Sequence, residues 1–207
     1  KDRMRFVTRQ MVDAMAPSNF LATNPEFIKK AIDTQGESIR KGIQNLLADL
    51  NKGRISMTDD SAFEVGRNLA TTPGAVVFEN ELMQLIQYSP MTDTVAQQPF
   101  LMVPPCINKY YILDLQPENS VVRYAVEQGN TVFLVSWRNV QADQGHLTWD
   151  DYVEKGPLTA IKVVQEICKI KQINVLGFCV GGTLLSSALS VARIRGEASR
   201  FGGYLDA

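Results

Sequence analysis

The chain has 207 residues, of which 45% are hydrophobic and 21% charged, which suits one sizeable core with or without a helical appendage. A formal net charge of -1 gives no basic face of the kind nucleic-acid binders show. No run nears the roughly 20 apolar residues of a membrane helix, and no continuous apolar h-region follows the basic residues after Lys1, so the sequence as it starts carries no secretory signal.

Three cysteines, Cys106, Cys168 and Cys179, have no C-x-x-C spacing, and His146 is the single histidine. That argues against a disulfide framework and a metal site, and fits a reducing cytoplasm. Residues 1–72 read as a mostly helical N-terminal region. Asn24-Pro25-Glu26 offers an N-cap, a proline at the first helical position and an acid in the first turn. Ile28, Ile32, Ile39, Ile43, Leu46 and Leu50 then recur at spacings of three, four or seven, one face of a single helix closed by Gly53. Such a stripe usually packs on a core of its own chain.

From residue 73 the rhythm changes. Ala75–Phe78 and Leu82–Tyr88 predict a hairpin about Glu79-Asn80-Glu81. Phe100–Val103 predicts a strand ending at Pro104-Pro105, and Val121–Val126 a helix closed by Gly129. Thr131–Trp137 is β-branched and aromatic, a strand. A helix follows over 150–168, where Gly156-Pro157 can break it into two, then a strand over Ile173–Phe178 and a helix over Gly181–Ala192. Alternation of this kind gives an α/β fold with a parallel-sheet core. Past Ser199 another apolar strand is expected, for which Arg200–Tyr204 is poor material.

Residues 177–182 read Gly-Phe-Cys-Val-Gly-Gly, directly between a strand and a helix. This is G-x-C-x-G, the nucleophile-elbow pattern with cysteine in the serine position. A nucleophile there must sit on a tight turn, and Gly177 and Gly181 let strand and helix approach closely. The helix N-terminus favours a thiolate and an oxyanion, and the N–H of Val180 is an oxyanion donor. Two other readings stand beside it: Cys179 packed as a small hydrophobe, or a turn that cradles phosphate. Against the latter, neither G-x-G-x-x-G nor a P-loop lysine is present.

A second donor comes from the loop after an earlier strand, here Pro104 to Lys109. Pro104 and Pro105 have no N–H. Ile107 is the preferred donor, with Cys106 and Asn108 as alternatives, and Cys106 is read as a packing residue.

Longer runs carry a family resemblance. Val-Pro-Pro-Cys-Ile-Asn-Lys-Tyr-Tyr-Ile-Leu-Asp-Leu at 103–115, Gly-Asn-Thr-Val-Phe-Leu-Val-Ser-Trp-Arg-Asn at 129–139, Thr-Trp-Asp-Asp-Tyr at 148–152 and Asn-Val-Leu-Gly-Phe-Cys-Val-Gly-Gly-Thr at 174–183 resemble the class I polyhydroxyalkanoate synthases. So do Ser-Asn-Phe-Leu-Ala-Thr-Asn-Pro at 18–25 and Phe-Glu-Val-Gly-Arg-Asn at 63–68. The resemblance implies an α/β-hydrolase catalytic domain over 73–207, incomplete at its C-terminal side, behind the helical region. It implies polymerisation of (R)-3-hydroxyacyl groups, with 3-hydroxybutyryl as the expected acyl group, from coenzyme A thioesters. Free coenzyme A is released and Cys179 carries the chain as a thioester. No cofactor is implied, since coenzyme A belongs to the substrate and is a product. A homodimer on cytoplasmic polyester granules, with granule-associated proteins near it, is implied as the setting. The family's catalytic histidine and aspartate lie downstream of the elbow, past Ala207. His146 does not match that histidine and reads as a surface loop residue, while Asp150 and Asp151 read as helix-start acids. A thioesterase or depolymerase on the same fold, or a catalytically incomplete synthase module, are the alternatives.

Overall fold

A computed structural model describes residues 1–107 and 109–196; the expectation for Arg200–Tyr204 lies outside the described residues, as does the alternative donor Asn108. The packing divides the chain into two units, Lys1–Asp60 and Ser61–Ala207.

The first unit holds α1 (Asp2–Ala14), α2 (Pro25–Asp33) and α3 (Glu37–Lys52). The N-cap reading holds: the Asn24 side chain accepts from the Glu26 and Phe27 N–H groups at 2.9 and 3.1 Å. The single helix from Pro25 to Gly53 does not. Gln35 and Gly36 both turn to positive φ, 50° and 85°, and the Gly36 N–H closes α2 by donating to Ala31 at 2.8 Å. Gly36 can take that geometry freely; the seven-residue step from Ile32 to Ile39 kept the stripe in phase across the break. Gly53 caps α3 in the left-handed region as expected. Within this unit the stripe builds no core: none of the three helices has a buried residue, and Ile32, Ile43, Leu46 and Leu50 are all exposed.

The second unit is built on a five-stranded sheet in the order β1-β2-β4-β3-β5: β1 (Gly74–Glu79), β2 (Met83–Tyr88), β3 (Phe100–Val103), β4 (Val132–Trp137) and β5 (Asn174–Gly177). The β1–β2 hairpin and the β2–β4 pair are antiparallel, while β3 pairs in parallel with both β4 and β5. Period-two alternation explains two apolar faces. Leu101, Val103, Phe133, Val135 and Trp137 point to one core, together with Ala160, Val164, Leu184 and Ala188. Met102, Val132 and Leu134 point to the other, with Leu113, Val122 and Val126.

The helices of the first core are α5 (Trp149–Val153), α6 (Thr159–Cys168) and α7 (Val180–Ile194); that of the second is α4 (Val121–Glu127). The predicted break at Gly156-Pro157 is present as a wide turn over Glu154–Leu158, with Gly156 at a non-helical ψ of -109°. Gly156 has a packing reason too: a Cβ there would lie 2.5 Å from the Trp137 ring.

The chain leaves β3 toward α4 on one face and leaves β5 toward α7 on the other. Adjacent parallel strands whose connections part in this way open a crevice at their carboxyl ends. The two loops at that crevice are the ones singled out above, Pro104–Lys109 and the turn at Cys179.

One buried polar cluster ties the segment before β1 to the region after β3. The Asp114 carboxylate accepts from the hydroxyls of Thr72 at 2.7 Å and Ser120 at 2.6 Å, and its backbone carbonyl accepts from the Ala70 N–H at 2.9 Å. Ser120 also caps α4 by accepting from the Arg123 N–H. All three side chains are buried. Burial, then the nearby Asp114 charge, pushes the Tyr88 and Tyr110 hydroxyls above the ordinary phenol range. Asp114→Ala strips the acceptor from two buried hydroxyls, so unfolding of the full-length protein in urea is expected to show a loss of roughly 2–4 kcal/mol. An unchanged midpoint and slope contradict that role.

Candidate active site

Cys179 stands between the end of β5 and the first residue of α7, with φ 54° and ψ -127°. A side chain at positive φ is strained by roughly 1–3 kcal/mol and is held there only by its surroundings. Those surroundings are backbone. The Phe178 N–H donates to Val103 at 3.0 Å, the Gly181 N–H to Phe178 at 2.9 Å and the Gly182 N–H to Cys179 at 2.8 Å. A Cβ at Gly177 would meet Gly182 Cα at 2.5 Å, and one at Gly181 would meet the Val103 carbonyl oxygen at 2.0 Å. Both glycines of the G-x-C-x-G pattern are therefore places where strand, turn and helix touch with no room for a side chain.

The turn leaves Cys179 exposed, unlike a cysteine packed as a small hydrophobe. The other two thiols differ. Cys106 and Cys168 are half-buried, and burial pushes both thiols up, toward the unreactive protonated form. Among the described residues the Val180 N–H has no backbone acceptor, as expected for the first residue of a helix. It stands next to the Cys179 side chain with the positive end of the α7 dipole behind it.

The loop after β3 starts against this turn. Pro104 packs on Gly181, whose missing Cβ would lie 2.8 Å from the Pro104 carbonyl carbon and oxygen. Pro104 and Pro105 are buried, Cys106 is half-buried and Ile107 is 75% exposed, which puts Ile107 at the loop's outer, solvent-facing position. The Pro104 carbonyl accepts from the Trp137 indole N–H at 2.8 Å, a bond that sequence reasoning missed because Trp137 read only as the last residue of a strand.

His146 is exposed in the segment before α5. Asp151 closes a capping box with Thr148, and the Thr148 N–H, then Lys155, hold its carboxyl down at about 2. Both residues therefore sit as expected, as a loop side chain and a helix-start acid. Among the described residues no group of three or more His, Cys, Asp or Glu side chains is placed to hold a metal ion, and no helix is long and apolar enough to cross a membrane.

A mixed sheet with helices on both faces and a strained cysteine at the strand-to-helix elbow defines an α/β-hydrolase-type fold with a cysteine at the elbow. Residues 1–125 match the family model described as the N-terminus of poly-beta-hydroxybutyrate polymerase, and the chain belongs to that family. A poly(3-hydroxyalkanoate) polymerase subunit of Cupriavidus necator is 61% identical over 95% of this chain and 33% of its own length. A poly(3-hydroxyalkanoate) polymerase of Methylorubrum extorquens is 40% identical over 95% of this chain and 33% of its own. The chain thus spans about a third of the length of these relatives. Among solved structures, an ester hydrolase from the Lake Arreo metagenome superposes with a TM-score of 0.44 at 13% identity, over 82% of this chain and 55% of its own.

Proposed function

We propose that this chain carries the nucleophile and oxyanion donors of a cysteine acyltransferase that builds polyester from (R)-3-hydroxyacyl-coenzyme A, with 3-hydroxybutyryl as the acyl group. The observation that carries the reading is Cys179, exposed at φ 54° on the elbow, in a chain of the polymerase family. The Cys179 thiolate attacks the thioester carbonyl. The oxygen becomes an oxyanion held by the N–H groups of Val180 and Ile107, each worth about 3–4 kcal/mol in related chemistry. Collapse expels coenzyme A thiolate and leaves the acyl group on Cys179 as a thioester. Attacking and leaving thiolates have similar basicity, which suits cysteine to thioester exchange; the hydroxyl of another acyl unit then takes over the chain.

The proton of Cys179 needs a base, which the family resemblance assigns to a histidine downstream of the elbow, oriented by an aspartate. The same resemblance supports a homodimer at the surface of cytoplasmic polyester granules, with granule-associated proteins as further partners. No cofactor enters the scheme.

Product analysis tests the reaction. The full-length protein given 3-hydroxybutyryl-coenzyme A is expected to yield polymer and free coenzyme A in equal acyl and thiol amounts. Free 3-hydroxybutyrate as the main product points to a hydrolase and contradicts the proposal.

A further inference from the structure

The loop after β3 has a mechanical problem that its sequence creates. Pro104 and Pro105 have no N–H groups, so neither can anchor the loop by donating a hydrogen bond. Only carbonyls can hold this stretch from within. The Pro104 carbonyl is held by the Trp137 indole N–H at 2.8 Å, in a buried setting where a hydrogen bond is strong and well aimed.

Trp137 is itself locked from two sides. Its ring packs against Tyr152 at 5.7 Å between centroids with the planes tilted by 39°, and it fills the space that Gly156 leaves, where a Cβ would lie 2.5 Å away. Tyr152 and Cys106 pack against the same core as Trp137. The far side of Pro104 rests on Gly181, two residues past the nucleophile. A line of contacts therefore runs from β4 through Trp137 and Pro104 to Gly181 in the turn, and the chain continues from Pro104 to Ile107.

We infer that Trp137 is a positioning residue that fixes the Pro104–Ile107 loop, and with it the second oxyanion donor, against Cys179. The inference rests on the proposed acyl transfer at Cys179. Trp137 touches neither substrate nor the reacting atoms in this role. Its effect appears where charge develops in the transition state and not in ground-state binding, so it acts on kcat more than on KM. A donor displaced by a fraction of an ångström to one ångström loses much of its benefit, up to about 100-fold.

The test is Trp137→Phe in the full-length protein with 3-hydroxybutyryl-coenzyme A. Phenylalanine keeps an aromatic ring against Tyr152 and removes the indole donor. The expected result is a fall in kcat of about tenfold with KM little changed. Alkylation of Cys179 by iodoacetamide, followed on its own peptide, is expected to keep its wild-type rate, because that reaction needs the elbow but no oxyanion donor. Unchanged kcat overturns the inference. So does a parallel loss of kcat and alkylation, which would make Trp137 a support of the elbow alone, or a rise in KM at constant kcat. If Trp137→Phe does not fold, Tyr152→Leu loosens the same indole while leaving its N–H in place, and a smaller fall in kcat at constant KM is expected; no fall overturns the inference. A wild-type protein that releases no coenzyme A contradicts the functional reading instead.

Discussion

Cys179→Ala in the full-length protein is expected to lower coenzyme A release from 3-hydroxybutyryl-coenzyme A by roughly 10⁴-fold or more, the usual scale for removing a covalent nucleophile. The fold should hardly notice, since the side chain is exposed and the turn is held by backbone hydrogen bonds. Stability gives a second readout. The residue is held at φ 54°, and alanine suffers the same crowding as cysteine while glycine does not. Cys179→Gly should therefore be as inactive as Cys179→Ala yet more stable, by about 1 kcal/mol. A turnover retained in either variant removes Cys179 from the chemistry. Equal stability of the two removes the claim that the elbow stores strain.

Gly181→Ala is the second large effect, and it strikes the fold. The added Cβ would lie 2.0 Å from the Val103 carbonyl oxygen and 2.8 Å from both carbonyl atoms of Pro104, all of them backbone. No rotamer change relieves such a contact, because alanine has none and the neighbours are main chain. Either α7 moves away from β3 or the loop after β3 moves away from α7. The expected cost is roughly 3 kcal/mol or more, at the upper end of overpacking. It should appear as a drop in melting temperature or in soluble yield of the full-length protein. Any variant that does fold should lose turnover, since the displaced loop carries the proposed second oxyanion donor. Gly42 is the control: a Cβ there meets nothing within 4 Å, so Gly42→Ala should be tolerated or slightly stabilising in α3. A Gly181→Ala protein with wild-type melting temperature and activity contradicts the close packing of α7 on β3 and Pro104.

Much of this arrangement was legible in the sequence because it depends on local, periodic signals. The β-branched run ending at Trp137 and the apolar residues after Gly181 give strand and helix through spacing alone. The elbow was legible because its steric demands fall on fixed neighbours, Gly177 and Gly181, within a few residues of Cys179. Other features depend on chain segments that meet only after folding. Nothing in the run around Trp137 says that its indole meets the Pro104 carbonyl 33 residues earlier in the chain. Likewise, Asp114 shows no sign in sequence of collecting hydroxyls from Thr72 and Ser120. The break at Gln35 and Gly36 was hidden for a different reason. Periodicity measures phase, and a seven-residue step preserves phase whether or not the helix between is continuous.

The proposed second oxyanion donor shows the same boundary. Chemistry alone removed Pro104 and Pro105 and left Cys106, Ile107 and Asn108. Cys106 is half-enclosed against the core with its thiol pushed up, and Ile107 is exposed, but these are properties of side chains. A backbone donor leaves no signature in residue type, so sequence can name the loop but not the peptide group.

The most direct test of the account is to identify the residue that takes the acyl group. Full-length protein quenched in acid shortly after mixing with 3-hydroxybutyryl-coenzyme A, then digested and mass-mapped, should carry hydroxybutyryl units on the peptide containing Cys179, in a linkage that hydroxylamine cleaves. The peptides of Cys106 and Cys168 should stay free. Acylation of Cys106 or Cys168, or release of coenzyme A with Cys179 unmodified throughout turnover, would contradict the account.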